Sequence, residues 1–248
     1  MQMTKAPMDP AKERLLEAIL PHVAFDGWSD KAFGMAVAET GMIPAHARTL
    51  CPRGAVDLAA AFHVAGDAAM AAAVKAADLK GLRYRDKVAF AIRARLDAVS
   101  DKEAVRRGVA LFALPHMAAE GARLTWGTAD AIWQALGDTS QDVNWYTKRA
   151  TLAAVWAAVV LYWLGDDSLN AQATDDFIAR RIDDVMRIEE AKAKARGNAF
   201  LRPVMGPFER LMAMVKAPPR MPPVDLPGSW TEGWAGAFGP PPAEGPRS

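Results

Sequence analysis

Four histidines, His22, His46, His63 and His116, are the side chains best suited to moving protons or holding a metal near neutral pH. They stand far apart, with no i,i+4 partner, so their spacing does not describe a zinc site. Cys51 is the single cysteine; it can form no intrachain disulfide and reads as a small buried hydrophobe in a reducing compartment. Asp183-Asp184 and Glu189-Glu190 could in principle serve as acid and base, but on a helix they are more simply solvated faces. The sequence carries no glycine-rich phosphate loop, no GxSxG elbow and no repeated Glu-x-x-His of a di-iron bundle. We therefore expect no catalytic residues, no metal and no cofactor, and the weight moves towards binding.

The residues best suited to binding lie together in the stretch from Gly137 to Val155, where Asp142, Trp145, Tyr146 and Arg149 follow one another closely. Trp, Tyr and Arg dominate interface hot spots because they bury much surface and keep a polar handle. In a helix starting near Asn144, Trp145 and Arg149 are four apart and share a face. Two readings stay open: an exposed recognition surface, or aromatics that cap the core while Arg149 pairs with Asp142.

The elements that position them are helical. Half of the 248 residues are apolar, alanine is abundant, and strand-like alternation is absent, so the chain is read as all-α. Asp9-Pro10 starts a helix whose stripe is Leu15, Leu16, Ile19, Leu20 and Val23. Ser29 caps a second helix that stops at Gly41, and Ile43-Pro44 opens a short third one ending before Pro52 and Gly54. A long alanine-rich helix runs to about Ala77, followed by helices near 84–100, 101–115, 118–136, 145–164 and 173–196. Residues 150–164 hold no charge, but 15 residues fall short of the roughly 18–20 of a membrane span, which predicts a helix buried on every side. Its Leu152, Val155, Trp156, Val159 and Trp163, with Leu111, Leu114, Met117, Ile132 and Leu136 nearby, could line an apolar cavity or simply fill a core.

Charge is unevenly spread. The net charge is +1, yet Lys192 to Arg220 carries +6 (seven basic residues against Glu209), which leaves −5 elsewhere. Within residues 197–216, Phe200, Leu201, Val204, Met205, Phe208, Leu211, Met212 and Val215 fall in one arc of about 140° at helical period. Arg202, Glu209, Arg210 and Lys216 lie opposite, the pattern of an interfacial membrane helix, although Pro203 and Gly206-Pro207 should kink it. Docking of that stripe on the protein's own core is the alternative. Residues 217–248 are rich in proline and glycine and are expected to be disordered.

The order of the first three helices and the long fourth resembles the DNA-binding module of TetR-type repressors, here residues 9–54. Its recognition segment would be Pro44-Ala45-His46-Ala47-Arg48-Thr49-Leu50, and residues 1–60 hold six basic groups against seven acids. Without a surplus of cations to displace counterions, anchoring on phosphate would be weak, so no nucleic acid is expected as a partner.

The stretch Gly137-Asp138-Thr139-Ser140-Gln141-Asp142-Val143-Asn144-Trp145-Tyr146-Thr147-Lys148-Arg149 closely resembles the signature of the ubiquinone (coenzyme Q) biosynthesis accessory family, the ninth of the yeast-named coenzyme Q set. Similarity extends to Leu20-Pro21-His22-Val23-Ala24-Phe25-Asp26-Gly27-Trp28, to Glu103-Ala104-Val105-Arg106-Arg107 and to the run Phe177 to Met186, covering roughly residues 12–195. The resemblance implies a TetR-like homodimer, a lipid-binding and dimerisation domain over residues 55–196, and a membrane-binding helix over 197–216. It implies no enzymatic activity, but binding of a polyprenylated quinone intermediate, isoprenoid or phospholipid for presentation to a hydroxylase. The family's hydroxylase-contact surface corresponds here to Asp142, Trp145, Tyr146 and Arg149, with Trp133 nearby. With no signal or transit segment at the start, the expected location is the bacterial cytoplasm, peripheral on the inner membrane. A TetR-type regulator sensing a hydrophobic ligand and an unrecognised lipid enzyme are the rival readings.

Overall fold

A computed structural model of the chain describes residues 8–99, 101–140 and 143–197, with side chains as far as Arg187 apart from that of Val143. The described residues form helices and contain no strand. The chain divides into two compact units within one helix, after Phe62, whereas the sequence places the first boundary at Gly54.

In the first unit, α1 (Pro10–Asp26), α2 (Asp30–Glu39), α3 (Pro44–Leu50) and the start of α4 (Ala55–Ala76) surround one small core. The caps are those the sequence signals. Asp9 accepts from Ala11 N–H at 2.7 Å ahead of Pro10, and Ser29 accepts from Ala32 N–H at 3.2 Å. Gly41 takes φ +64° at the α2–α3 turn, a conformation that costs other residues energy. Leu15, Ile19, Val23, Phe33, Val37 and Leu58 are buried, and Trp28 packs on Phe62 with ring centroids 5.7 Å apart. Cys51 is fully buried, and that burial raises its thiol pKa to about 11, as expected of an unreactive core residue. Arg48, the one cation on α3, is bound to Asp30 at 2.9 Å and lies over the Phe33 ring.

The second unit begins at His63 and contains the rest of α4, then α5 (Tyr84–Asp97), α6 (Lys102–Phe112), α7 (Ala118–Ala135), α8 (Val143–Leu164), a 3-10 turn (Leu169–Ala171) and α9 (Gln172–Gly197). Met70, Val74, Ile92, Ile132, Leu152, Val159 and Ile178 are drawn from five helices into its core. Each full burial of such a side chain stabilises the fold by about 1.5–3 kcal/mol. α8 departs from expectation: Ala150, Ala154, Ala157 and Leu161 form an exposed stripe, so the helix is not buried on every side of the single chain. Three of these four are alanines, whose exposure carries little apolar cost. Only α4, among the described residues, has the length and apolarity of a membrane span. Half of it is buried, and it carries Asp57 and Asp67 in ion pairs with Arg53 and Arg95, as a core helix does.

A polar knot crosses this core. Arg95 Nε donates to Asp67 at 2.7 Å, Arg95 Nη2 to the His63 carbonyl at 2.8 Å, and Thr128 Oγ1 to Asp67 at 2.9 Å. His63 Nε2 lies 2.8 Å from Thr128 Oγ1, and the Arg95 guanidinium sits 5.3 Å from the centre of the Trp156 ring. Burial lowers the His63 pKa to about 4, only partly countered by the negative charge of Asp67. The unfolded chain therefore binds a proton that the folded chain excludes between about pH 6.5 and 4. Stability should fall as pH drops through that window, by up to about 3 kcal/mol. A histidine NMR titration checks this directly: one imidazole should titrate near pH 4, and an ordinary value for His63 would contradict the packing.

Candidate recognition surface on the seventh and eighth helices

Within the second unit, α7 and α8 run side by side, joined by the loop after Ala135. Gly137, at φ +78°, ends α7 with its N–H on the Gln134 carbonyl, and Asp138 N–H returns to the Trp133 carbonyl at 2.9 Å. That return aims the Asp138 carboxylate at the first turns of α8. It accepts from Lys148 Nζ at 2.8 Å, Ser140 Oγ at 2.8 Å and Arg149 Nη1 at 3.2 Å. Burial alone would raise the Asp138 pKa, but the hydrogen bonds from Lys148, Ser140 and Arg149 outweigh it and hold the carboxyl below its ordinary range.

Arg149 is the centre of the arrangement. Its side chain is 3% exposed, with Nε 2.5 Å from Asp130 on α7 and Nη1 also donating to the Trp145 carbonyl at 3.2 Å. The guanidinium carbon lies 4.1 Å from the centre of the Trp145 ring. Trp145 meets Tyr146 edge-on at 4.8 Å and Trp126 of α7 at 6.0 Å, and all three rings are half-buried. The result is a partly open aromatic cluster seated on a buried, doubly paired cation. Trp, Tyr and Arg are the residue types that dominate interface hot spots, and the two carboxylates beside them are taken up in ion pairs with Arg149 and Lys148.

The structure thus brings together Trp145, Tyr146 and Arg149 of the expected surface. Arg149 pairs with Asp130 and Asp138, and Asp142 lies outside the described residues. Trp133 is interior: it is buried in the core, stacked on Tyr84 at 5.7 Å with Lys148 Nζ 5.5 Å from its ring. Sequence pattern alone marks no role for Asp130, Asp138, Lys148 or Trp126. Asp138 and Lys148 stand inside the signature stretch, but Asp130 is 19 residues from its partner and nothing local marks it.

Of the expected apolar wall, Ile132, Leu152, Val155, Trp156 and Val159 are buried in one continuous core, with Leu136 and Trp163 packed half-buried against it. Leu111, Leu114 and Met117 do not join that core; Leu114 is 43% exposed. The reason is helical phase, because Val105 and Val109 take the inward positions of α6 and turn Leu111 away. A separate groove of about 350 Å³ lies between α4 and α5, lined by Ala69, Ala73, Phe90, Arg93, Ala94, Asp97 and Ala98. The eight apolar residues from Phe200 to Val215, expected to form a membrane-binding face, fall outside the described residues.

Comparison with known proteins agrees with the region and the fold. Residues 118–189, which span α7, α8 and most of α9, match the COQ9 family model. The chain is 29% identical over 185 residues to the probable ubiquinone biosynthesis protein coq9, mitochondrial, of Dictyostelium discoideum, covering 71% of this chain and 60% of that protein. It is 27% identical over 198 residues to the ubiquinone biosynthesis protein COQ9, mitochondrial, of Drosophila melanogaster, covering 78% of this chain and again 60% of the relative. Identity to the human protein of the same name is 32% over 102 residues, 40% of this chain and 32% of that one. The chain therefore spans about three fifths of the length of the first two relatives. In fold it is similar to a TetR transcriptional regulator from Nitrosomonas europaea, with a TM-score of 0.59, 17% identity, and coverage of 71% of this chain and 97% of that one.

Proposed function

We propose, for a chain that carries the COQ9 family segment on a TetR-like all-α fold, a role in ubiquinone biosynthesis as a non-enzymatic lipid-binding accessory protein. It takes up a polyprenylated quinone intermediate at the membrane and presents it to the hydroxylase that modifies it. The observation that carries this reading is the half-open cluster of Trp126, Trp145 and Tyr146, which lies wholly within the matched segment. Aromatic rings seated on a fixed cation are suited to docking a protein partner, and the carboxylates beneath them are held in ion pairs with Arg149 and Lys148.

The apolar second unit supplies the lipid-binding part. A prenyl chain gains about 0.8 kcal/mol per buried methylene-sized group, so a greasy interior suffices without specific polar contacts. Leu111, Leu114 and Met117, being less buried than the core they adjoin in sequence, would form the rim through which the lipid enters. The exposed stripe Ala150, Ala154, Ala157 and Leu161 would meet a second copy in the expected homodimer. The TetR-type regulator is the second reading; Arg48 tied to Asp30 and the exposed, apolar Ile43 speak against a phosphate-gripping α3.

Native mass spectrometry tests lipid binding. The purified protein should carry isoprenoid or phospholipid, and the stripped protein should take up a prenylated quinone; failure of both would remove the lipid role. The membrane role rests on residues 197–216. A chain ending at residue 197 should lose binding to anionic liposomes while keeping its helical signal, and undiminished binding would overturn that assignment.

A further inference from the structure

We propose that Arg149, Asp130 and Asp138 form a positioning clamp that sets the Trp145 ring for docking, and that Arg149 does not itself touch the partner. The inference rests on the docking role of the aromatic cluster. A contact role for Arg149 would need an accessible guanidinium, but the residue is 2% exposed and its guanidinium is engaged by Asp130, Asp138 and the Trp145 carbonyl. Two carboxylates reach the guanidinium from different elements, Asp130 from α7 and Asp138 from the following loop, and together they fix its plane.

The guanidinium carbon so held lies over the Trp145 indole, 4.1 Å from the ring centre, and Trp126 and Tyr146 brace the ring. Lys148 and Ser140 hold Asp138 in turn, so the clamp ties α7, the loop and the first turns of α8 to a single ring orientation. Lysine could keep the charge at position 149 but not the planar fork that makes both ion pairs. A ring whose orientation is already fixed docks without the loss of rotamer freedom that costs a mobile side chain about 0.5–1.5 kcal/mol.

The test uses the full chain labelled with 5-fluorotryptophan, the Trp145 resonance being identified by its loss in Trp145→Phe. Arg149→Lys and Arg149→Met should shift that resonance and leave the Trp28 resonance in place. Each should weaken binding of the purified ubiquinone-pathway hydroxylase by at least about tenfold, with no further loss when added to Trp145→Ala. An unmoved Trp145 signal, or a loss of affinity that adds to that of Trp145→Ala, would overturn the clamp. Should the Arg149 variants not fold, Asp130→Asn removes one arm at the more open end, and its effect on the same resonance decides. If Trp145→Lys leaves hydroxylase affinity intact, the docking role falls, while the fluorine shifts still judge whether the clamp sets the ring.

Discussion

Trp145→Lys is expected to abolish binding of the pathway hydroxylase while the helical fold survives. The ring is half-buried on the first turn of α8, outside the contiguous core, so its loss removes contact surface and leaves the interior filled. Lysine can turn its ammonium to water there, away from Arg149, at small cost to the fold. At an interface centre the same change replaces an aromatic anchor with a solvated charge. Anchors of this kind are worth about 2–4 kcal/mol, so a loss of at least roughly 100-fold in affinity is expected once the buried charge is included. Circular dichroism and a melting curve check the fold, and surface plasmon resonance checks the affinity. Unchanged affinity, or collapse of the helical signal, would count against the surface.

The second large effect is on stability. Arg95→Met should destabilise the second unit by about 3–5 kcal/mol, roughly 10 °C in melting temperature, because it strands the Asp67 carboxylate among Met70, Thr128 and the packed helices. The pair itself is not the source of stability; its imbalance is what costs. Adding Asp67→Leu to Arg95→Met should therefore recover much of the loss, since a buried ion pair can be replaced by apolar groups nearly neutrally. Gly66 makes the same point sterically. A Cβ there would sit 2.4 Å from Arg95 Nη1, so Gly66→Ala should cost about 1–3 kcal/mol by displacing the guanidinium. If Arg95→Met melts like the unaltered protein and the double variant melts lower, the knot is not what holds these helices.

What was legible in the sequence was local. Asp9, Ser29 and Gly41 mark helix ends because a cap or a left-handed turn is satisfied by residues a few positions away. Asp101 likewise starts α6, accepting from Glu103 and Ala104 N–H groups. The order of helices and the TetR-like fold are legible from these signals and from the resemblance carried by residues 137–149. The sequence pattern carries α5 and α6 on to 100 and 115, past their ends at Asp97 and Phe112, because Ala98 and Ala113 give no stop signal of their own. Pairings between distant residues were not legible at all. Asp67 meets Thr128 across 61 positions and Arg149 meets Asp130 across 19, and no periodicity encodes such a meeting. Arg149 shows the consequence, since a residue type common on contact surfaces is here 2% exposed and paired with two carboxylates. The phase of α6 is a third case: Leu111 and Val109 look equally apolar, and only packing decides which faces in.

The quinone content of cells deleted for this chain tests the account most directly, with the wild-type chain and Trp145→Lys each returned on a plasmid. The deletion is expected to accumulate a prenylated precursor lacking one ring hydroxyl, the wild-type chain to restore ubiquinone, and the Trp145→Lys chain to leave the precursor in place. Normal ubiquinone in the deletion strain, or full rescue by Trp145→Lys, would contradict it.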